Sequence, residues 1–177
     1  MVYIIELEFE VRKRLRTKAP SFSGLKPVST ASSQAKRNNR SRDTTHEVML
    51  RRALWRMGLR YRKNASNLPG KPDIIFPAAR VAVFCDGDFW HGRNWQSLRK
   101  KLRRGTNSRY WVAKIESNRA RDRRVTTLLR GAGWHVVRFW ETTVRRDPVA
   151  AAHRVSSIVK VRKRQTTFPL GISSGIS

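Results

Sequence analysis

The chain has 177 residues, of which 39% are apolar and 9% aromatic, enough for one hydrophobic core and too few for two independent catalytic domains. Its 39 Lys and Arg stand against 12 Asp and Glu, a formal charge of +27 with a pI near 11.8, so a polyanion, nucleic acid first, is the expected partner. The single cysteine, Cys85, excludes an internal disulfide and any cysteine-rich zinc cluster, and it fits a reducing compartment.

Residues 1–40 read as a basic arm with little core: Arg12-Lys13-Arg14 opens a Ser/Lys-rich stretch punctuated by Pro20, Gly24 and Pro27. Such an arm either lies along DNA phosphates or is a solvated tail. No stretch approaches the roughly 18 apolar residues of a membrane span, and Val2 to Leu7 lacks a basic leader and a cleavage site. A soluble, cytoplasmic protein is expected. Residues 41–164 carry the ordered pattern, and 165–177, rich in Ser and Gly, read as a loose C-terminal tail.

Thr44-Thr45-His46-Glu47 has the form of a capping box, and Met49, Ala53 and Met57 recur at helical spacing until Gly58, predicting a helix over about 44–57. After the turn formers Asn67 to Pro72, Asp73-Ile74-Ile75-Phe76 and Val81-Ala82-Val83-Phe84-Cys85 read as a β-hairpin joined by Pro77 to Arg80. A long helix is predicted from Tyr110 to Arg130, ended by Gly131 and Gly133, followed by a strand from Trp134 to Trp140. Asp147-Pro148 then opens a last helix with Ala152, Val155 and Val159 on one face. The order α-β-β-α-β-α implies an α/β fold, a mixed central sheet flanked by helices.

Carboxylates at the ends of this hairpin suit a hard cation. Asp73 begins one strand, Asp86 and Asp88 follow the other, and oxygen ligands of this kind select Mg²⁺. Turn aspartates that bond their own backbone give the same pattern. His91, in Asp86-Gly87-Asp88-Phe89-Trp90-His91-Gly92, is either a general acid or base beside that cation or a core histidine. Phe89 and Trp90 either pack in the core or stack on bases. On the long helix Trp111, Ile115, Asn118, Asp122, Val125 and Leu129 form one stripe, in which two polar residues interrupt an apolar face. They belong to a site or buried network, or Asp122 pairs with one of the many arginines. Residues 99–130 hold 12 Lys/Arg and two acids, so phosphate contacts are expected there, Arg103 and Arg104 included. Glu47 completes the capping box or joins the site.

From Arg42 to about Arg162 the chain resembles the very short patch repair (Vsr) endonucleases, a branch of the restriction-endonuclease-like fold. The match is carried by Arg42-Asp43-Thr44 with Glu47, Leu68-Pro69-Gly70-Lys71-Pro72-Asp73, Phe89-Trp90-His91, Tyr110-Trp111 through Lys114-Ile115, Asn118, Arg121-Asp122-Arg123-Arg124, and Gly133-Trp134. The resemblance implies that Asp73 binds Mg²⁺, that Cys85 contributes its backbone carbonyl, and that His91 moves a proton with Glu47 and Asp122 in support. It also implies that Phe89, Trp90 and Trp111 wedge into double-stranded DNA beside a T:G mismatch; a nick at or near that mismatch is expected, and a monomer is favoured with the oligomeric state left open. Two departures stand out. Gly92-Arg93-Asn94-Trp95 replaces the histidine and cysteine ligands of the family's structural zinc, so zinc is not expected. Asp86 replaces a histidine before the family's glycine and becomes a candidate metal ligand. A nuclease without mismatch specificity and an inactive DNA-binding protein on the same scaffold are the competing readings.

Overall fold

The computed structural model describes residues 43–167, together with Pro20 and Ser21; the basic arm over residues 1–40 otherwise lies outside the described residues. Helix α1 spans Thr45–Arg56 and starts from Thr44, which is extended and leaves its hydroxyl off the helix backbone. That hydroxyl donates instead to Glu47 Oε1 at 2.6 Å, while Oε2 accepts the Asp43 N–H at 3.0 Å. The capping box is thus present in displaced form, side chain to side chain on one half and one residue early on the other.

Strands β1 (Arg62–Lys63), β2 (Ile74–Phe76), β3 (Val81–Asp86) and β4 (His135–Trp140) make one sheet in the order β1-β2-β3-β4. β1 with β2 and β2 with β3 are antiparallel, whereas β3 and β4 are parallel, with Val81 opposite His135 and Asp86 opposite Trp140. All six residues of β3 are buried, as a strand covered on both faces requires. A short 3₁₀ turn, Pro77–Ala79, joins the hairpin, and Arg80 closes it at φ +48°. Helices α2 (Trp95–Arg103) and α3 (Ser108–Gly131) connect β3 to β4, and α4 (Glu141–Arg146) leads into α5 (Pro148–Thr167). Among the described residues no helix is long and apolar enough to cross a membrane.

Strand alternation sorts the core into two layers. Val81, Val83 and Cys85 of β3 and Val137 and Phe139 of β4 pack with α1, α4 and α5. Ala82, Phe84 and Val136 face Val125 and Leu129 of α3. The same alternation turns the side chains of Asp86 and Arg138 toward α3. Gly70 (φ +73°) is where the chain passes α3 before Asp73; a Cβ there would meet Val125 Cγ1 at 2.5 Å, so only glycine allows that approach.

The hairpin, α1, the long helix, the last strand and the Asp147 cap, whose Oδ1 accepts the Ala150 N–H at 2.8 Å, lie where the sequence pattern puts them. Four features do not. β1 and α4 lack a sequence signal, α2 was not expected although Trp95, Leu98 and Leu102 recur at helical spacing, and α5 continues through Gln165 to Thr167 instead of giving way to a tail at 165. The charged residues of α5 past Val159 continue the helix because nothing in Lys160 to Thr167 breaks it.

Candidate active site

A cavity of about 990 Å³ opens between the N-terminal end of α1, the ends of β2 and β3, and the middle of α3. Eight sequence-predicted residues line it: Glu47, Asp73, Cys85, Asp86, Trp90, His91, Asn118 and Asp122. Arg103 and Arg104 stand apart, exposed at the C-terminal end of α2.

Asp73 sits one residue before β2 and is tied into the sheet by its backbone, its N–H reaching Val83 and its carbonyl accepting from Asn64. Its Oδ2 accepts the Cys85 N–H at 2.7 Å. Burial pushes its carboxyl up to about 7, with the charges of Glu47 and Asp86 adding to the rise and the Cys85 hydrogen bond and Arg138 opposing it. An anion-dense pocket of this kind holds either a proton or a cation. The Cys85 side chain points away into the core, its thiol raised well above the usual range by burial, so only its backbone serves the site: N–H to Asp73, carbonyl 3.3 Å from His46 Nε2.

Across the cavity His91 Nδ1 lies 2.6 Å from Asp122 Oδ2. A carboxylate only accepts, so Nδ1 carries the hydrogen and Nε2 is left to exchange a proton. Burial works to raise Asp122, but the His91 hydrogen bond and the charges of His91, Arg138 and Arg121 hold it below the usual carboxylate range. Both polar interruptions of the α3 stripe are therefore used: Asp122 grips His91, and Asn118 Nδ2 donates to the Trp90 carbonyl at 2.9 Å. Asp86, the candidate ligand, accepts two bonds from Arg138, at 2.7 Å from Nε and 2.6 Å from Nη2.

The aromatics form a mutual cluster. Phe89 and Trp90 rings are 5.2 Å apart, Phe89 and Trp111 5.6 Å, and Trp90 and Trp111 5.9 Å, with Phe89 exposed. Sequence reasoning missed two site residues. His46 was absorbed by the capping pattern, yet it is buried beside the Cys85 carbonyl with Nδ1 lacking a hydrogen-bond partner, 3.8 Å from Glu141. Arg138 was hidden inside an apolar run, and the one signal was a lone charge in a strand.

The family model for DNA mismatch endonuclease Vsr matches residues 28–97. The Type II nicking enzyme V.NmeDIP of Neisseria meningitidis serogroup C is 40% identical over 131 residues, covering 74% of this chain and 87% of that protein. The chain belongs to the Vsr family. It is also 40% identical to the Type II nicking enzyme V.NaeI of Lentzea aerocolonigenes (71% of this chain, 76% of the relative). To the DNA mismatch endonuclease Vsr of Escherichia coli strain K12 it is 34% identical (59% and 65%). It is therefore a DNA endonuclease with the restriction-endonuclease-like architecture of the Vsr family, and endonucleases of this kind depend on a metal. As a Vsr-family protein with one thiol, it should fold and melt identically with and without a zinc chelator; zinc at one equivalent in untagged protein, with chelator-induced unfolding, is the opposite result.

Proposed function

We propose that this Vsr-family enzyme is Mg²⁺-dependent and nicks duplex DNA at or next to a T:G mismatch. The observation that carries the reading is the convergence on one cavity of a buried carboxylate, Asp73, with a proton-exchanging pair, His91–Asp122, beside a partly exposed aromatic cluster.

The donors fit a hard cation. Among the described residues no three His, Cys, Asp or Glu side chains gather closely enough to hold a metal by themselves. The residues that would hold it are Asp73, through its carboxylate, and Cys85, through its backbone carbonyl, with water and phosphate oxygens supplying the further oxygen ligands Mg²⁺ prefers. Asp86 gives one lone pair of each oxygen to the Arg138 guanidinium, so we assign it to holding that group, while the second lone pair on each oxygen keeps it a candidate ligand to the cation. The cation, when bound, supplies electrostatic stabilisation of the charge developing on the phosphodiester. Glu47, with Oε1 and Oε2 already accepting from Thr44 and Asp43, fixes the start of α1 against the site and adds negative charge to it. His91, oriented through Nδ1, moves a proton at Nε2 between water and the cleaved phosphodiester.

The test is cleavage of matched and T:G-mismatched duplexes, labelled on either strand, in Mg²⁺ and in EDTA. A nick in one strand of the mismatched duplex, dependent on Mg²⁺, is the expected result. Equal cutting of both duplexes removes the mismatch specificity, and cutting of neither removes the enzyme reading.

Binding separates the two groups of DNA-facing residues. Trp90→Ala and Trp111→Ala should each weaken binding to the mismatched duplex by about 1 to 3 kcal/mol of stacking while the salt dependence stays unchanged. Variants that bind both duplexes like wild type but melt earlier would make the cluster a core element. Replacing Arg103 and Arg104 by alanine should instead weaken binding to every sequence alike. The slope of log affinity against log salt should become shallower by about one per lost phosphate contact, and an unchanged slope would take these arginines off the DNA.

A further inference from the structure

Arg138 occupies a place that its strand does not explain. It lies between Val137 and Phe139, both buried, in a strand that otherwise builds core, and β3 puts Phe84 opposite it. Its guanidinium carbon is 4.6 Å from the Phe84 ring, and Nη1 is buried with no hydrogen-bond partner. A half-buried arginine in such surroundings is costly unless anions hold it. Here two do. Nε and Nη2 take both oxygens of Asp86, and Nη2 also lies 3.2 Å from Asp122 Oδ1.

Those two carboxylates share a second neighbour. His91 Nδ1 is 2.6 Å from Asp122 and 3.4 Å from Asp86, so two acids compete for one ring hydrogen. The guanidinium is planar, and its fork matches a carboxylate bidentately. By engaging both Asp86 oxygens it draws that acid away from His91, and its remaining contact pins Asp122 on the oxygen that does not face the imidazole. The winner is the pair at 2.6 Å.

Resting on the reading of His91 as the proton-transfer group, we propose that Arg138 is a positioning residue: through Asp86 and Asp122 it fixes the ring orientation of His91, holding Nδ1–H on Asp122 rather than on Asp86. Asp86 and Arg138 then form a functional unit, and an unpaired Asp86 beside His91 is more harmful than the absence of both charges.

The experiment combines single-turnover cleavage in Mg²⁺ with the ¹⁵N shifts of the His91 ring, assigned by their loss in His91→Ala, in the full chain. Wild type should show one tautomer, protonated at Nδ1. Arg138→Met should keep Nδ1–H but shift it toward the freed Asp86, read as a displaced Nδ1 resonance, and lower the rate by about 10- to 100-fold, the range for residues that orient a ligating or reacting histidine. Arg138→Met combined with Asp86→Asn should fold, restore the wild-type ring shifts, and regain at least about fivefold of the lost rate. The double variant also serves if Arg138→Met alone does not fold. Wild-type ring shifts and rate in Arg138→Met overturn the proposal. So does a double variant no faster than the single, since Arg138 would then act on the substrate itself. If wild type cleaves no duplex while its ring shifts still depend on Arg138, the endonuclease reading fails and the positioning stands.

Discussion

Asp73→Asn should abolish cleavage and at the same time stabilise the metal-free protein above neutral pH. The two effects come from one carboxylate. Its folded value of about 7 against an ordinary 3.8 means that the folded state keeps a proton that the unfolded chain has already released. Between those values the unfolded state binds fewer protons, so this group's contribution makes stability fall as pH rises from about 4 to 7, with nothing further lost above. A shift of about 3 units is worth at most about 4 kcal/mol at 1.36 kcal/mol per unit, an upper limit for a group that retains some solvent. Asparagine removes the charge and keeps an oxygen for the Cys85 N–H. In EDTA at pH 8 the variant should therefore melt above wild type, and at pH 4 the two should converge. Asp122, held below its usual range, acts with opposite sign at low pH, but it is common to both proteins and cancels in the difference. Mg²⁺ should raise the melting temperature of wild type at pH 8 and leave the variant unmoved. Residual cleavage above about a tenth of wild type, a loss of less than about 1.4 kcal/mol, would take Asp73 out of the reaction. A variant less stable than wild type at pH 8 would show that its carboxylate is not strained by burial.

What was legible in the sequence followed from periodicity and punctuation. Helix α1 announces itself by apolar spacing and Gly58, the hairpin by two apolar runs around Pro77, and α5 by Asp147-Pro148. The stripe on α3 was legible to the residue: Ile115, Val125 and Leu129 are buried, and the polar breaks at Asn118 and Asp122 are where the site touches the helix. Elements without an apolar signal were not legible. β1 is Arg62-Lys63, both exposed, and it exists only because β2 offers an open edge. α2 does carry Trp95, Leu98 and Leu102 at helical spacing, a short stripe that was missed, and α4 is six residues long with a single buried side chain, Val144. The site shows the same division. Residues near one another in sequence, from Asp86 to His91, could be read as a group. The grip of Arg138 on Asp86 spans 52 positions and depends on the parallel register of β3 and β4, which no local pattern encodes. Spacing brought Asp86 near Asp73 but could not show that both of its oxygens accept from Arg138.

His91→Ala should lower the single-turnover rate by at least about 100-fold, the lower range for general acid/base work, while DNA affinity and melting temperature change little. The small structural effect is expected because the imidazole keeps 21% of its side chain exposed and its only bond shorter than 3 Å goes to Asp122. Asp122→Asn should cost the same order of rate by a different route. The amide can offer its oxygen to Nδ1–H or its NH₂ to a bare Nδ1, so it no longer dictates the tautomer, and the charge that steadies a protonated imidazole is gone. Because the two side chains act as one device, the double variant should be no slower than His91→Ala alone, whereas independent contributions would multiply. Cleavage by His91→Ala within about tenfold of wild type would leave proton transfer to water or another group. A double variant slower than either single by the product of the two losses would mean that Asp122 acts on the reaction without His91, from the face of α3 that also carries Asn118 and the basic residues around it.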